Sequence, residues 1–429
     1  MSLRSYSVVG VTGLPLAFLV LAFPVVFVQI KAALLFIFVG GLMLTVASNG
    51  FSNVRMPVGV FYFFAGMFLL NGSYILLGVV HGAPTEAMLE SVFVYLLYPL
   101  FYFFAILLVA DQLSIRVVTY FLIALGIFIS LLTIMQAARV FGFGSVPGYS
   151  LLYYIYPDLV YHHREFAFTG ENGYLPRAAE RFVFLAPFAV GLLLAGSRIG
   201  ISRALIVLNL LLVSAATVLT ERRAFLLILV LILSISLTRW ALTRIGQVAA
   251  VILIAAVAGV VLILADVGLS LGPMNFSNNL SEAGSRVQES YTSADLGTRE
   301  LQVEMLVRSA GDRPIFGHGY GSSIASFYRN TQAPWRFEMT YVALLFQAGA
   351  LGLALYAALA LQLGIVARNA YKADPTYVLP FIFGLAGAML AVTTNPYLNY
   401  GTGQWLLFLP VAVFCTVLLK TKQGVLEAK

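Results

Sequence analysis

The chain has 429 residues, 61% of them hydrophobic and only 10% charged, with a mean hydropathy of +0.94. Soluble globular domains carry about 25% charged residues, which excludes a soluble enzyme, a coiled coil and a disordered regulator. Uncharged runs wide enough to cross ~30 Å of hydrocarbon recur along the chain, without the ~10-residue alternation of a transmembrane β-barrel. The composition predicts an all-α polytopic membrane protein.

Twelve apolar segments follow in order, at 8–28, 32–47, 58–80, 91–110, 117–137, 181–196, 204–219, 224–238, 246–264, 338–366, 378–394 and 404–419. Residues 1–137 are expected to hold spans one to five, and 138–180 a first outside loop. Spans six to nine fall in 181–264, a large outside loop in 265–337, and spans ten to twelve with a cytoplasmic tail in 338–429. The first apolar stretch runs on without a small-residue cleavage signal, so it reads as a retained helix rather than a signal peptide. The single cysteine, Cys415, lies in the last span and reads as a small hydrophobe.

Basic residues in short loops set the orientation. With both termini cytoplasmic, the inside segments collect 12 basic residues and three acids, and the outside segments 13 basic residues and 15 acids. The pI near 9.4 is therefore a topology signal and not a nucleic-acid footprint. Apart from Lys31, the outside basic residues are all arginine, the planar fork suited to phosphate or carboxylate. Polar residues inside the spans include Asn71, Gln136, Gln347 and Gln362, but no charge lies near a midpoint. Ion-coupled transporters usually keep ionisable groups there.

In chain order, the first chemistry-bearing segment is 138–180, with Tyr149, Tyr153, Tyr154, Tyr156, Tyr161 and Tyr174 beside His162-His163-Arg164-Glu165. Aromatic faces line sugar sites and also anchor membrane interfaces. Adjacent histidines point apart on most backbones, which disfavours a metal cluster. The short outside turn Thr220-Glu221-Arg222-Arg223 breaks the positive-inside pattern at headgroup depth, as a phosphate site or as snorkelling arginines. Residues 296–310 predict a helix, with Val303, Leu306, Val307 and Ala310 on one face and Glu300, Glu304 and Arg308 on the other. Asp312-Arg313-Pro314 stops it. In Gly317-His318-Gly319-Tyr320-Gly321, the glycines either let N–H groups converge on an anion or make a tight turn. Trp335-Arg336-Phe337 then leads to Glu338, a general base or a helix-terminal charge, ahead of Gly349 and Gly352.

These residues resemble the bacterial O-antigen polymerase/O-antigen ligase family over roughly 160–429. The resemblance rests on Arg299, on Arg313-Pro-x-x-Gly-x-Gly-x-Gly, and on a following span with Gly-x-x-Gly. The Thr220-x-Arg-Arg-Ala element is similar to the family's Thr-x-Ser-Arg-Gly, which aligns Arg223 with its functional arginine. The family's ligases carry histidine 11 residues before the first glycine of Gly-x-x-Gly. Here that position is Glu338, which leans the resemblance toward a polymerase.

The resemblance implies a GT-C-like fold with about twelve spans and two periplasmic loops in the bacterial inner membrane. It implies an undecaprenyl-diphosphate-linked glycan donor, glycosyl transfer at the periplasmic face and a chain-length-regulating co-polymerase as partner, and no cofactor is expected. No nucleic acid is implied. The absence of Asp-x-Asp from the sequence agrees with a metal-free reaction. Arginines at headgroup depth would then stabilise charge on the departing diphosphate. Glu338 and Arg223 are the expected catalytic pair, and Arg222, Arg299, Arg313, His318, Arg164 and Tyr320 the expected diphosphate- and glycan-binding residues. The alternatives are a ligase acting on lipid A–core and, from another class, a transporter of lipid-linked sugars.

Overall fold

A computed structural model describes residues 13–22, 28–49, 55–110, 113–140, 160–165, 172–196, 200–219, 294–324, 333–393, 396–399 and 403–422. The helices are α1 (Leu14–Ala22), α2 (Val28–Asn49), α3 (Val58–Val80), α4 (Thr85–Val92), α5 (Tyr98–Val109) and α6 (Ile115–Val140). They continue with α7 (Phe182–Ala195), α8 (Arg203–Leu219), α9 (Ala294–Ala310), α10 (Thr340–Ala373), α11 (Pro375–Ala391) and α12 (Trp405–Lys422). Among the described residues, six helical stretches are long and apolar enough to cross a membrane. The expected spans 224–238 and 246–264 lie outside the described residues. Part of 138–180, expected as loop, forms regular structure instead. Helix α6 continues to Val140, and strands β1 (Val160–Glu165) and β2 (Asn172–Pro176) pair antiparallel.

The chain divides into two compact units, 1–41 with 116–292 and 42–115 with 293–429. In the first, α7 buries Phe182, Phe184, Phe188 and Leu192, and α8 buries Leu210 and Val213. Gly126 of α6 admits the Asn209 side chain, since a Cβ there would lie 2.8 Å from Oδ1. Arg116 ties the start of α6 to the α7–α8 turn, donating from Nη2 to the Gly200 carbonyl at 3.0 Å.

The second unit is built on an antiparallel seam between α3 and α10. Gly59 meets Val366, Gly66 meets Leu359, and Gly352 meets Tyr74. Glycines bring the backbones close, which substitutes packing for the hydrophobic drive that lipid does not supply. Gln362 Nε2 donates to the Gly59 carbonyl at 3.1 Å. Leu69, Leu76 and Val80 of α3 are more than half exposed, as a lipid-facing stripe requires.

Helices α4 and α5 are one rod, Thr85–Val109, joined by a π-turn at Phe93–Leu97. Tyr98 N donates to the Phe93 carbonyl, five residues back, and Pro99 has no N–H to give. Two carbonyls therefore lose their helical partners, and two amide side chains, one in α3 and one just before α12, take them. Asn71 Nδ2 donates to Tyr95 O at 2.9 Å, and Gln404 Nε2 donates to Val94 O. Polar residues inside these spans thus satisfy a broken helix.

One end of this unit carries Arg55, Arg368, Lys372, Lys420 and Lys422, and Lys420 Nζ donates to the Leu113 carbonyl there. The opposite end carries the α3–α4 turn, α9 and residues 311–324 and 333–339. At the α3–α4 turn, Gly82 has φ of 77°, Gly82 N bonds Val79 O and Ala83 N bonds Gly78 O. This Schellman turn closes α3, and Pro84 opens α4. At the basic end, Asp374 Oδ1 accepts from Thr376 N and Tyr377 N to cap α11.

Candidate functional site

Helix α9 ends at Ala310, where Asp312-Arg313-Pro314 was expected to stop it. Its buried face differs from the expected stripe. Gln302, Leu306 and Ala310 are buried, whereas Val307 is half exposed. Spacing of i, i+4, i+8 leaves a narrow contact on Leu306, which packs with Phe337 and Phe346.

Past Pro314 the chain meets a break in α10. Gly349 has φ of 65° and ψ of −173°, a conformation that excludes a Cβ. A regular helix would bond Ala350 N to Phe346 O and Leu351 N to Gln347 O. Instead Ala350 N donates to Pro314 O at 2.8 Å, and Leu351 N donates to Ile315 O at 3.0 Å. The freed carbonyls of Phe346 and Gln347 accept from His318 N at 3.0 Å and Gly319 N at 2.8 Å. The loop and the helix exchange partners at these four bonds, which satisfies the two N–H groups and the two carbonyls that the break releases.

The two glycine motifs are therefore one joint. Gly317, Gly319 and Gly321 all have positive φ. A Cβ on Gly317 would sit 2.5 Å from Gln347 O, and one on Gly319 would strike the backbone of Gly78. The N–H groups of Gly317 through Tyr320 go to the carbonyls of Arg313, Phe346, Gln347 and Tyr74. Of the two readings of this segment, the tight turn is the observed one. Its N–H groups are spent on the protein and do not converge on an anion.

Beside the joint lies a small cleft lined by Glu90, Tyr95, Tyr320, Trp335, Arg336 and Gln347, with Asn399 at its edge. Its free volume of ≈ 40 Å³ holds a few waters, since one water needs about 10–15 Å³. Tyr320 stacks on Tyr95 with centroids 4.3 Å apart. Its hydroxyl meets the Tyr356 hydroxyl at 2.5 Å, and Tyr356 in turn donates to Asn71 Oδ1. Burial pushes the Tyr320 phenol well above its ordinary range, and neighbouring Tyr356 adds to this. Tyr320 is thus neutral at physiological pH, and its one O–H proton is given to Tyr356. Glu90 is clamped between two donors, with Arg336 Nε on Oε1 at 2.7 Å and Trp335 Nε1 on Oε2 at 2.8 Å.

The structure places the expected site residues as follows. Tyr320 lines the cleft. His318 faces inward: its ring stacks on Phe346 and its Nε2 donates to Ser309 O at 2.9 Å, which fixes the Nε2–H tautomer or the doubly protonated ring. Arg313 is exposed in the turn after α9. Glu338 is half-buried and lies two residues before α10, so it precedes the span it was expected to open. Arg164 lies in β1 opposite Gly173, and Arg299 lies in α9; their side chains, like all of Arg222 and Arg223, lie outside the described residues.

The sequence reading missed Glu90. It sits 245 residues from Trp335, and its only local signal is Glu86–Glu90, an i,i+4 acidic pair opening an apolar span.

A comparison with curated proteins gives no match. The family model described as O-antigen ligase matches residues 208–357, about a third of the chain. This stretch contains α9, the glycine joint, Trp335-Arg336 and the start of α10. The resemblance read from the motifs is thereby borne out: residues 208–357 of this integral membrane protein match the O-antigen ligase model, which supports the O-antigen ligase/polymerase family.

Proposed function

We propose that the protein is an O-antigen or related polysaccharide polymerase of the bacterial inner membrane. It joins undecaprenyl-diphosphate-linked repeat units at the periplasmic face, by metal-independent glycosyl transfer. The observation that carries this reading is Glu338, a carboxylate where the family's ligases have histidine, in the segment between the glycine joint and α10. The basic residues at the opposite end of the second unit support a periplasmic location for this end.

In the proposed reaction an acceptor sugar hydroxyl attacks the anomeric carbon of the donor. A C–O bond forms, the bond to the diphosphate oxygen breaks, and the diphosphate leaves with the electron pair. Glu338 takes the hydroxyl proton. Arg223 opposes the charge growing on the leaving group, with Arg222, Arg164, Arg299 and Arg313 as further contacts to diphosphate or glycan. His318 positions the joint, and Tyr320 presents its ring, stacked on Tyr95, at the cleft. A chain-length-regulating co-polymerase is the proposed partner.

A second reading, transfer of finished glycan to lipid A–core, is favoured by the description of the matching family model. The test of the carboxylate is single-turnover transfer with saturating donor. Glu338→Gln should slow it about 10²–10⁴-fold, the usual contribution of acid–base catalysis. An unchanged rate would make Glu338 a helix-terminal charge and remove the basis for preferring the polymerase.

A further inference from the structure

The Glu90–Arg336 pair is used by nothing described so far. Glu90 lies near the end of α4, and Arg336 lies four residues before α10, so the pair joins two elements far apart in sequence. The contact is one-sided. Glu90 Oε1 takes Arg336 Nε at 2.7 Å, and the second oxygen is occupied by Trp335 Nε1. A guanidinium bound through Nε has its Nη1 and Nη2 on the far edge, a planar pair of donors spaced for the two oxygens of a phosphate or carboxylate. Among the described residues, no hydrogen bond to either Nη atom is found. The side chain is 45% exposed, Glu90 is 25% exposed, and both line the mouth of the cleft.

We infer that Arg336 is an oxyanion-binding residue of this protein and that Glu90 is the residue that aims it. The oxyanion belongs to the lipid-linked substrate, so the inference rests on the proposed function. Two groups of such a substrate have the required chemistry: the diphosphate, and the carboxylate of an acidic sugar in the repeat unit. A structural ion pair would bury both donor edges or leave the arginine loose. Here one edge is fixed and the other is presented, in a cleft whose remaining polar side chains, Ser91, Tyr95, Tyr320, Gln347 and Asn399, are uncharged groups. Trp335 adds rigidity from the adjacent position, because its indole N–H holds the same carboxylate.

The test is equilibrium binding to the full chain in lipid nanodiscs, with four probes. Undecaprenyl diphosphate is compared with undecaprenol, and a glucuronic-acid-containing oligosaccharide with its glucose counterpart. Arg336→Gln should weaken at least one anionic probe about 10- to 100-fold, the loss expected for one charge-assisted contact. The neutral probes should be unmoved, and the probe that responds identifies the source of the oxyanion. Arg336→Lys should not rescue, because one nitrogen cannot hold Glu90 and present a fork. Glu90→Gln should weaken the same probe about 3- to 10-fold and have no effect when Arg336 is already Gln, the coupling expected of contacting residues. A merely structural Glu90 would shift the neutral probes and persist in the double variant. Equal anion binding by wild type and Arg336→Gln would overturn this inference and leave the polymerase reading standing. Failure of wild type to bind undecaprenyl diphosphate would overturn the polymerase reading itself. If wild type bound neither anion, the arginine would have no oxyanion and this inference would fall too.

Discussion

Gly349→Ala is the sharpest perturbation of the joint on which this end of the molecule is built. The new Cβ would sit 2.5 Å from the Ile315 carbonyl carbon and 2.6 Å from Gly317 N, both backbone atoms that no side-chain rotation can move away. The backbone conformation at 349 costs a non-glycine residue about 1–3 kcal/mol on its own. Escape requires opening the joint and losing four backbone bonds, of which a straightened α10 would recover two. At about 1 kcal/mol net for each of the two lost bonds, opening costs about 2 kcal/mol; keeping the joint instead costs the backbone strain and the clash, so the variant should lose about 2–3 kcal/mol. The assay is denaturant-driven unfolding of the full chain in mixed micelles, with amide exchange at His318 and Gly319 as the local readout. Gly364→Ala on the same helix is the control, since nothing lies within 4 Å of its Cβ. The control should be neutral or slightly stabilising, as alanine is in a helix. If Gly349→Ala matched it in stability and left both amides protected, the interlocked joint would be wrong.

Two further variants extend the account. Arg223→Ala should abolish polymer formation while the protein still inserts in the membrane, and Arg223→Lys should also be impaired, because a point charge does not reproduce the guanidinium fork; near-normal polymer from either would remove Arg223 from the site. Tyr320 gives a pH signature. Its phenol is held neutral in the folded protein and ionises near pH 10 when unfolded, so its contribution is intact below about pH 10 and declines above it. Unfolding measured from pH 8 to 11 should show that decline in wild type and a shallower one in Tyr320→Phe. Identical slopes would mean that the phenol is not buried in this way.

Much of the fold was legible because a span needs only a run of apolar residues. Segments 58–80, 181–196 and 204–219 coincide with helices to within a residue or two. The stop at Asp312-Arg313-Pro314 was equally local. What the sequence could not convey was pairing at long range. Five glycines from 317 to 352 read as two motifs, and only the exchange of bonds between 314–319 and 346–351 makes them one object. The same limit hid Glu90, whose partners lie 245 and 246 residues away. Asn71 and Gln404 show a subtler case. Asn71 reads as a polar residue stranded in a span, yet it and Gln404 cap the carbonyls that the π-turn and Pro99 release on a neighbouring rod. On α9, the apolar pattern named Val307 for the interior, whereas the helix is rotated to bury Gln302. Periodicity fixes a stripe only to within its width, and the amphipathic pattern here is weak.

Polymer formation itself is the most direct measurement. Purified full chain is given synthetic undecaprenyl-diphosphate-linked repeat units in the presence of EDTA, with and without lipid A–core, and the products are separated by size. The account predicts a ladder of lipid-linked products without lipid A–core and undiminished by chelation. Product formed only when lipid A–core is added, or a ladder lost to EDTA and restored by a divalent ion, would contradict it.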